Sequence, residues 1–225
     1  FASGTWRSYT LQFPNSGDLN SAAAQFEIAN LGVFVQDTWS YNANLNFQYG
    51  FRLDRGMVGD EPPFNQNAFN RYGLDNTNTA DGQVTFQPRF GFNYTFDSER
   101  ATQLRGGVGL FQGSAPGVWL SNIFSNPGTL SSVVTAQNCG PAANTLPCGF
   151  SSDPDNQPRP PGAAAAQNVD FLSNDFVQPT VWKINLAFEH ELPWMGLVGS
   201  VEWLRNVTEQ GVFFENLNLG APGGA

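Results

Sequence analysis

The residues that could do chemistry are few. His190 is the only histidine in 225 residues, which excludes a metal cage or acid–base pair built on two histidines within this chain. It falls just before Pro193 at the end of an alternating stretch, where a polar residue at an interface is expected. No Gly-x-Ser-x-Gly nucleophile elbow occurs. Gly107-x-Gly109 superficially suggests a dinucleotide loop, but it lies inside an alternating segment, lacks the final glycine and opens no helix. Asp153, Asp155 and Asn156 could offer oxygens to calcium. The glycine and distal glutamate of an EF-hand are missing, so a solvated turn is expected there. Asn93-Tyr94-Thr95 and Asn206-Val207-Thr208 match the glycosylation sequon, yet both lie on or beside strands. These residues point to no catalysis, no metal and no cofactor.

What remains is a set of polar side chains at every second position: Gln48, Arg52 and Asp54; Gln87, Arg89 and Asn93; Gln103 and Arg105; Lys183, Asn185 and Glu189; and Glu202. Such spacing puts them on one face of extended chain, where they could line an interior and meet water, a plug or a solute. Arg52, Asp54 and Arg89 fall toward the ends that join long connections. Cys139 and Cys148 sit close together in a Pro/Gly-rich stretch. Two free thiols are one reading; a local disulfide is the favoured one, and it implies an oxidising compartment.

The elements that must position these residues are strands. From Asn44 to Asp54, Leu45, Phe47, Tyr49, Phe51 and Leu53 alternate without exception with polar residues or glycine, the signature of a strand with one apolar and one polar face. Phe86 to Asp97 repeats it, with Phe86, Pro88, Phe90, Phe92, Tyr94 and Phe96 on one face. Weaker alternation runs through Leu31–Trp39, Leu104–Leu110, Trp182–Phe188 and Val201–Trp203. About six strands are expected, near 28–40, 44–55, 86–97, 101–112, 179–191 and 197–206. They form three tight pairs. Closing the first around Tyr41–Asn44 sets Trp39 opposite Leu45, Val35 opposite Tyr49, Gln36 opposite Gln48, and Phe34 over Gly50. Closing the second around Asp97–Ala101 sets Tyr94 against Leu104, Phe90 against Val108 and Asn93 against Arg105. Closing the third around Pro193–Gly196 sets Phe188 against Val201 and Leu186 against Trp203. All three registers keep like faces together, which a one-residue slip would undo.

The connections between pairs, 57–85 and 114–177, are long and rich in Asn, Gly and Pro. Structureless loops beyond roughly 12–15 residues are uncommon in compact domains. Short turns at one end and long loops at the other is the asymmetry of an outer-membrane barrel. Trp39, Tyr41, Phe96 and Trp194 fall at or beside the short turns, where an interfacial aromatic girdle belongs; core aromatics at strand ends are the plainer alternative. Charged residues make up 13%, against about 25% in soluble domains. No apolar run approaches the roughly 20 residues of a transmembrane helix. A mean hydropathy of −0.29 does not exclude a membrane barrel, whose strands alternate lipid-facing and interior residues. The net charge of −9 argues against a nucleic-acid partner, which needs clustered Lys and Arg.

Val35-Gln36-Asp37-Thr38-Trp39 followed by Leu45 to Tyr49-Gly50-Phe51-Arg52-Leu53-Asp54 resembles a hairpin of TonB-dependent outer-membrane receptors. Pro88-Arg89-Phe90-Gly91-Phe92 with Leu104 to Phe111, and Gln178 to Glu189 with Ser200 to Arg205, resemble further hairpins of the Oar-like branch. The resemblance covers residues 26 to 207, in order. It implies a barrel of about 22 strands with a plugged lumen, lying in the bacterial outer membrane and energised through TonB. The expected fold is therefore all-β: an antiparallel up-and-down transmembrane β-barrel, present as a fragment with long extracellular loops. Both ends read as cuts, with the plug domain, the TonB-interacting region and the remaining strands outside this sequence. The implied partners are outer-membrane lipid, that plug and those strands, and the TonB system; the implied activity is substrate import. A soluble or surface β-sandwich or small barrel binding a glycan or apolar ligand is the alternative, since its alternation would be the same pattern turned inside out.

Overall fold

The computed structural model describes residues 6–114, 117–139, 151, 153, 155–160 and 162–219. They form two compact units, one of residues 1–27, 59–79 and 117–174 and one of residues 28–58, 80–116 and 175–225.

The second unit is a six-stranded antiparallel sheet. Its strands are β2 (Ile28–Ser40), β3 (Leu45–Val58), β4 (Val84–Thr95), β5 (Thr102–Gln112), β7 (Thr180–Glu191) and β8 (Val198–Gln210), and each pairs with the next in that order. The sheet is open, with β2 and β8 at its edges. Its formation follows from the alternation: the strands carry mostly apolar residues on one side and mostly polar residues or glycine on the other, with Phe34, Phe111 and Leu204 among the exceptions.

Short turns close three of its hairpins. In the third, Met195 and Gly196 both have positive φ, 50° and 67°, and the Leu197 N–H donates to the Trp194 carbonyl at 3.0 Å. The turn lies inside a four-residue connection, 193–196, since the Leu192 N–H donates to the Leu197 carbonyl at 2.7 Å, and positive φ at both central residues marks it as a mirror-image turn. The second and third hairpins pair as the alternation requires, Phe90 with Val108, Asn93 with Arg105, Phe188 with Val201 and Leu186 with Trp203.

The first hairpin differs. Trp39 faces Phe47, Val35 faces Phe51 and Gln36 faces Gly50, two residues away from the expected register. Asn42 is the reason. Its side-chain oxygen accepts the N–H groups of Asn44 and Leu45, both at 2.9 Å, while the Leu45 carbonyl accepts from Tyr41 N–H at 3.0 Å. This Asx turn holds residues 41–45 as the connection. A shift of two keeps parity, so the faces are unchanged. Phe34 consequently faces Arg52 instead of covering Gly50.

The apolar face of the sheet is exposed. Val33, Val35, Phe86, Phe90, Leu186 and Trp203 are all open, and Val201 is 74% exposed. A soluble sandwich or barrel buries that face; here it is bare.

The first unit corrects the expectation of plain loops over 57–85 and 114–177. It holds a two-stranded antiparallel sheet of β1 (Trp6–Pro14) and β6 (Ser131–Cys139), a 3₁₀ turn (Leu19–Ala22), α1 (Gln66–Tyr72) and α2 (Gly117–Ser125). Asn65 caps α1 by accepting the Ala68 N–H at 3.0 Å, and Gly73 closes it in the left-handed region. Leu120, Ile123 and Phe124 of α2 are buried, and Phe26 stacks on Phe124 at 4.4 Å. Asn76 is fully buried; it accepts the Asn65 N–H at 2.8 Å and donates to the Pro63 carbonyl at 2.9 Å. Asn65 in turn donates to the Pro127 carbonyl at 2.9 Å, so two asparagines tie residues 63–76 to 127. Asp153, Asp155 and Asn156 make a local turn, with the Asp153 carboxylate accepting the Asp155 N–H at 3.0 Å. Cys139 ends β6, but its side chain and all of Cys148 lie outside the described residues, and so does the pairing expected for them.

Candidate functional site

The ladder places every polar candidate on one face of the six-stranded sheet. Across one row lie Gln36, Gly50, Arg89, Gly109, Lys183 and Asn206. The row beside it, toward the short turns, holds Thr38, Gln48, Gly91, Gly107, Asn185 and Leu204. Glycine thus recurs at Gly50, Gly91, Gly107 and Gly109, so the middle of the polar face carries few side chains. A shallow depression lies there, lined in part by Phe34, Gln48, Gly50, Arg52, Arg89 and Gly91.

The charged residues divide into two kinds. Arg52 and Asp54, two apart on β3, form a forked pair, Nε to Oδ2 and Nη2 to Oδ1, both at 2.7 Å. Gly32 sits opposite Asp54, and a Cβ there would collide with both the guanidinium and the carboxylate. Only glycine leaves room for the fork. Asp54 also accepts from the buried Gln87 amide, whose oxygen takes the Gln112 N–H at 2.9 Å. This chain of bonds ties β3, β4 and β5 together at the long-connection end, and being buried it must be fully satisfied. Arg105 and Glu189 form a second pair at 2.7 Å. Gln103 donates to Asn93 at 2.6 Å, and Asn185 reaches Glu202 at 3.4 Å.

Arg89 and Lys183 are of the other kind. Neither forms a salt bridge among the described residues. Both lean on Phe111: the Arg89 guanidinium carbon lies 4.5 Å from the ring centre and Lys183 Nζ lies 5.3 Å from it. The ring in turn lies over Gly109, where an added Cβ would stand 3.0 Å from it and 3.2 Å from Arg89 Cγ. Phe34 and Phe111, aromatic residues on the polar face, escape a search by residue type. Their parity, Phe34 between Val33 and Val35 and Phe111 two beyond Gly109, is the signal that places them.

The opposite face has its own polar punctuation. Tyr49 donates to Asp37 at 2.8 Å, and His190 Nδ1 lies 2.8 Å from Thr102 Oγ1. The short-turn aromatics are exposed. Trp39 and Tyr41 meet edge-on at 5.6 Å, and Phe96 touches Tyr94 and Phe188 at 4.8 and 6.4 Å.

An exposed apolar face, a polar opposite face and a sequential antiparallel meander are the three marks of a membrane barrel wall. The family model of an outer membrane β-barrel domain matches residues 2–225. The chain belongs to that family. No curated protein and no solved structure matches it. The outer membrane β-barrel domain is an outer-membrane protein, and its strands are the membrane-crossing elements. In such a wall the apolar face meets lipid and the polar face lines the interior, which gives the two faces described above their separate solvents.

Proposed function

We propose that this outer membrane β-barrel domain is a segment of a TonB-dependent transporter of the Oar-like branch, importing a substrate across the bacterial outer membrane. The observation that carries the reading is the ordered set of hairpins from Val35-Gln36-Asp37-Thr38-Trp39 to Ser200–Arg205, set in a sheet whose β2 and β8 edges are unpaired among the described residues. The remaining strands of the receptor would continue those edges, and a plug domain would lie against the polar face. Outer-membrane lipid would bathe the apolar face, with Trp39, Tyr41, Phe96 and Trp194 as the periplasmic girdle. α1, α2 and β6 fall in the long connections, and β6 pairs there with β1 from the segment before β2; in this reading these connections are extracellular and meet the substrate first. Gln48, Arg52, Asp54, Gln87, Arg89, Asn93, Gln103, Arg105, Lys183, Asn185, Glu189 and Glu202 would line the lumen. No catalytic role is assigned to any of them.

A soluble module binding a glycan or an apolar ligand would need its apolar face covered, and that face is exposed. The test is to express the complete reading frame, purify its product in detergent and mix it with the periplasmic domain of the host's TonB. A complex that forms and strengthens with substrate extract is expected. Failure to bind TonB, with a folded barrel, sinks the transporter reading.

A further inference from the structure

We propose that Arg89, Lys183 and Phe111 form an oxyanion site on the polar face, for a carboxylate or phosphate group. The inference rests on the reading above for its setting in a transporter lumen, and it narrows the substrate to an anionic class.

Four cations of the polar face are Arg52, Arg89, Arg105 and Lys183. Two of them are neutralised in place, Arg52 by Asp54 and Arg105 by Glu189, each at 2.7 Å. The other two flank one phenyl ring and have no carboxylate within salt-bridge distance among the described residues. Two like charges sharing one ring repel each other, while the ring face attracts both. An anion between them would turn the repulsion into two attractions. The planar guanidinium suits a two-oxygen grip, and the ammonium supplies a mobile point charge.

The surroundings leave space for it. Arg89 and Lys183 stand on either side of Gly109 in one ladder row, and Gly91 and Gly107 are adjacent in the next. Phe111 approaches Gly109 through Cε2 and Cζ, so the ring stands in the room the glycine leaves, with Arg89 and Lys183 both against it. A side chain at Gly109 would make the ring and Arg89 give way by a few tenths of an ångström. The chain as a whole carries a net charge of −9, so two neighbouring cations without a salt bridge run against the composition.

The oxyanion could be free solute or an acidic side chain from another segment of the complete protein, and the experiment separates them. The full-length product, folded in detergent as judged by heat-modifiable gel mobility, is melted in citrate and in chloride at matched ionic strength. Wild type melting several degrees higher in citrate, with the shift lost in the Arg89→Gln/Lys183→Gln double variant and retained in Arg105→Gln, supports a free oxyanion. No citrate shift in wild type, but a lower melting point in the double variant than in Arg105→Gln, supports an internal carboxylate. Citrate affinity by titration should fall at least tenfold in the double variant and severalfold in Phe111→Leu, which keeps both charges. Should Arg89→Gln misfold, Lys183→Gln alone carries the comparison. An undiminished citrate shift in the variants overturns the site. So does the absence of a shift in wild type, with melting unchanged or raised by the substitutions. A protein that binds citrate through these residues but not TonB overturns the transporter reading alone; one that binds TonB but no oxyanion overturns only this site.

Discussion

The six-stranded sheet and the unit built from residues 1–27, 59–79 and 117–174 are held together by opposite means. The sheet has almost no apolar interior: its greasy side chains, from Val33 to Trp203, are exposed on one face. It depends on ladder hydrogen bonds, cross-strand pairs and a surrounding lipid phase, as membrane strands must. The other unit is organised like a small water-soluble fold. It buries Leu120, Ile123, Phe124, Val134 and Ala136, and it holds its irregular backbone with the buried Asn65 and Asn76 amides. Buried polar groups of this kind stabilise only when every bond is made. Within one chain, then, apolar residues face outward in the first region and inward in the second. The solvent each region meets explains the difference.

The largest expected effect tests whether the two regions unfold separately. Phe124→Ala removes the ring stacked on Phe26 and should cost about 3–5 kcal/mol locally. Limited proteolysis of the intact protein would then cut within 59–79 and 117–174, while the heat-modifiable mobility of the barrel stays as in wild type. Loss of both together would show one cooperative unit. A smaller effect contrasts the two faces of the sheet. Leu186→Arg, on the apolar face and away from the turns, should cost about 2–4 kcal/mol in lipid, and Gln48→Arg, on the polar face, close to nothing. Equal costs in denaturant melts would contradict the lipid-facing assignment. The smallest effect is in the third turn. Met195 holds a positive φ that asparagine or glycine adopts with less strain, so Met195→Asn should stabilise by about 0.5–1 kcal/mol. An unchanged or lowered midpoint would argue against that turn.

Much of the sheet was legible because side-chain parity is local. Each apolar–polar alternation marks a strand and its two faces, whatever its partner. The short turns then fix neighbours, since a hairpin brings together residues already close in sequence. Two hairpin registers could be read this way. The first could not, because the Asn42 side chain decides where the turn closes, and a shift of two leaves no trace in the alternation. The pairing of β1 with β6 was illegible for another reason. Its partners, such as Phe13 and Ser132, are far apart in sequence; Tyr9, Leu11 and Phe13 do alternate with Ser8, Thr10 and Gln12, but no short turn says which distant strand they meet. Helix α2 was hidden in the same way, its apolar run Val118 to Phe124 broken by Ser121 and Asn122.

The candidate site shows the same division. Alternation alone put Arg52, Arg89, Arg105 and Lys183 on one face. Which of them are neutralised is a matter of distance: Asp54 reaches Arg52 along its own strand, and Glu189 reaches Arg105 from β7. Arg89 and Lys183, from strands on either side of β5, instead meet at Phe111. The sequence by itself determined the strands, their faces and the membrane-barrel class, because period two survives any choice of partner. Only the tertiary structure decided the first register, the folded unit that joins β1 to parts of the long connections, and the two cations that share one ring. Those depend on which distant segments come within a few ångströms of each other, and no local period encodes that.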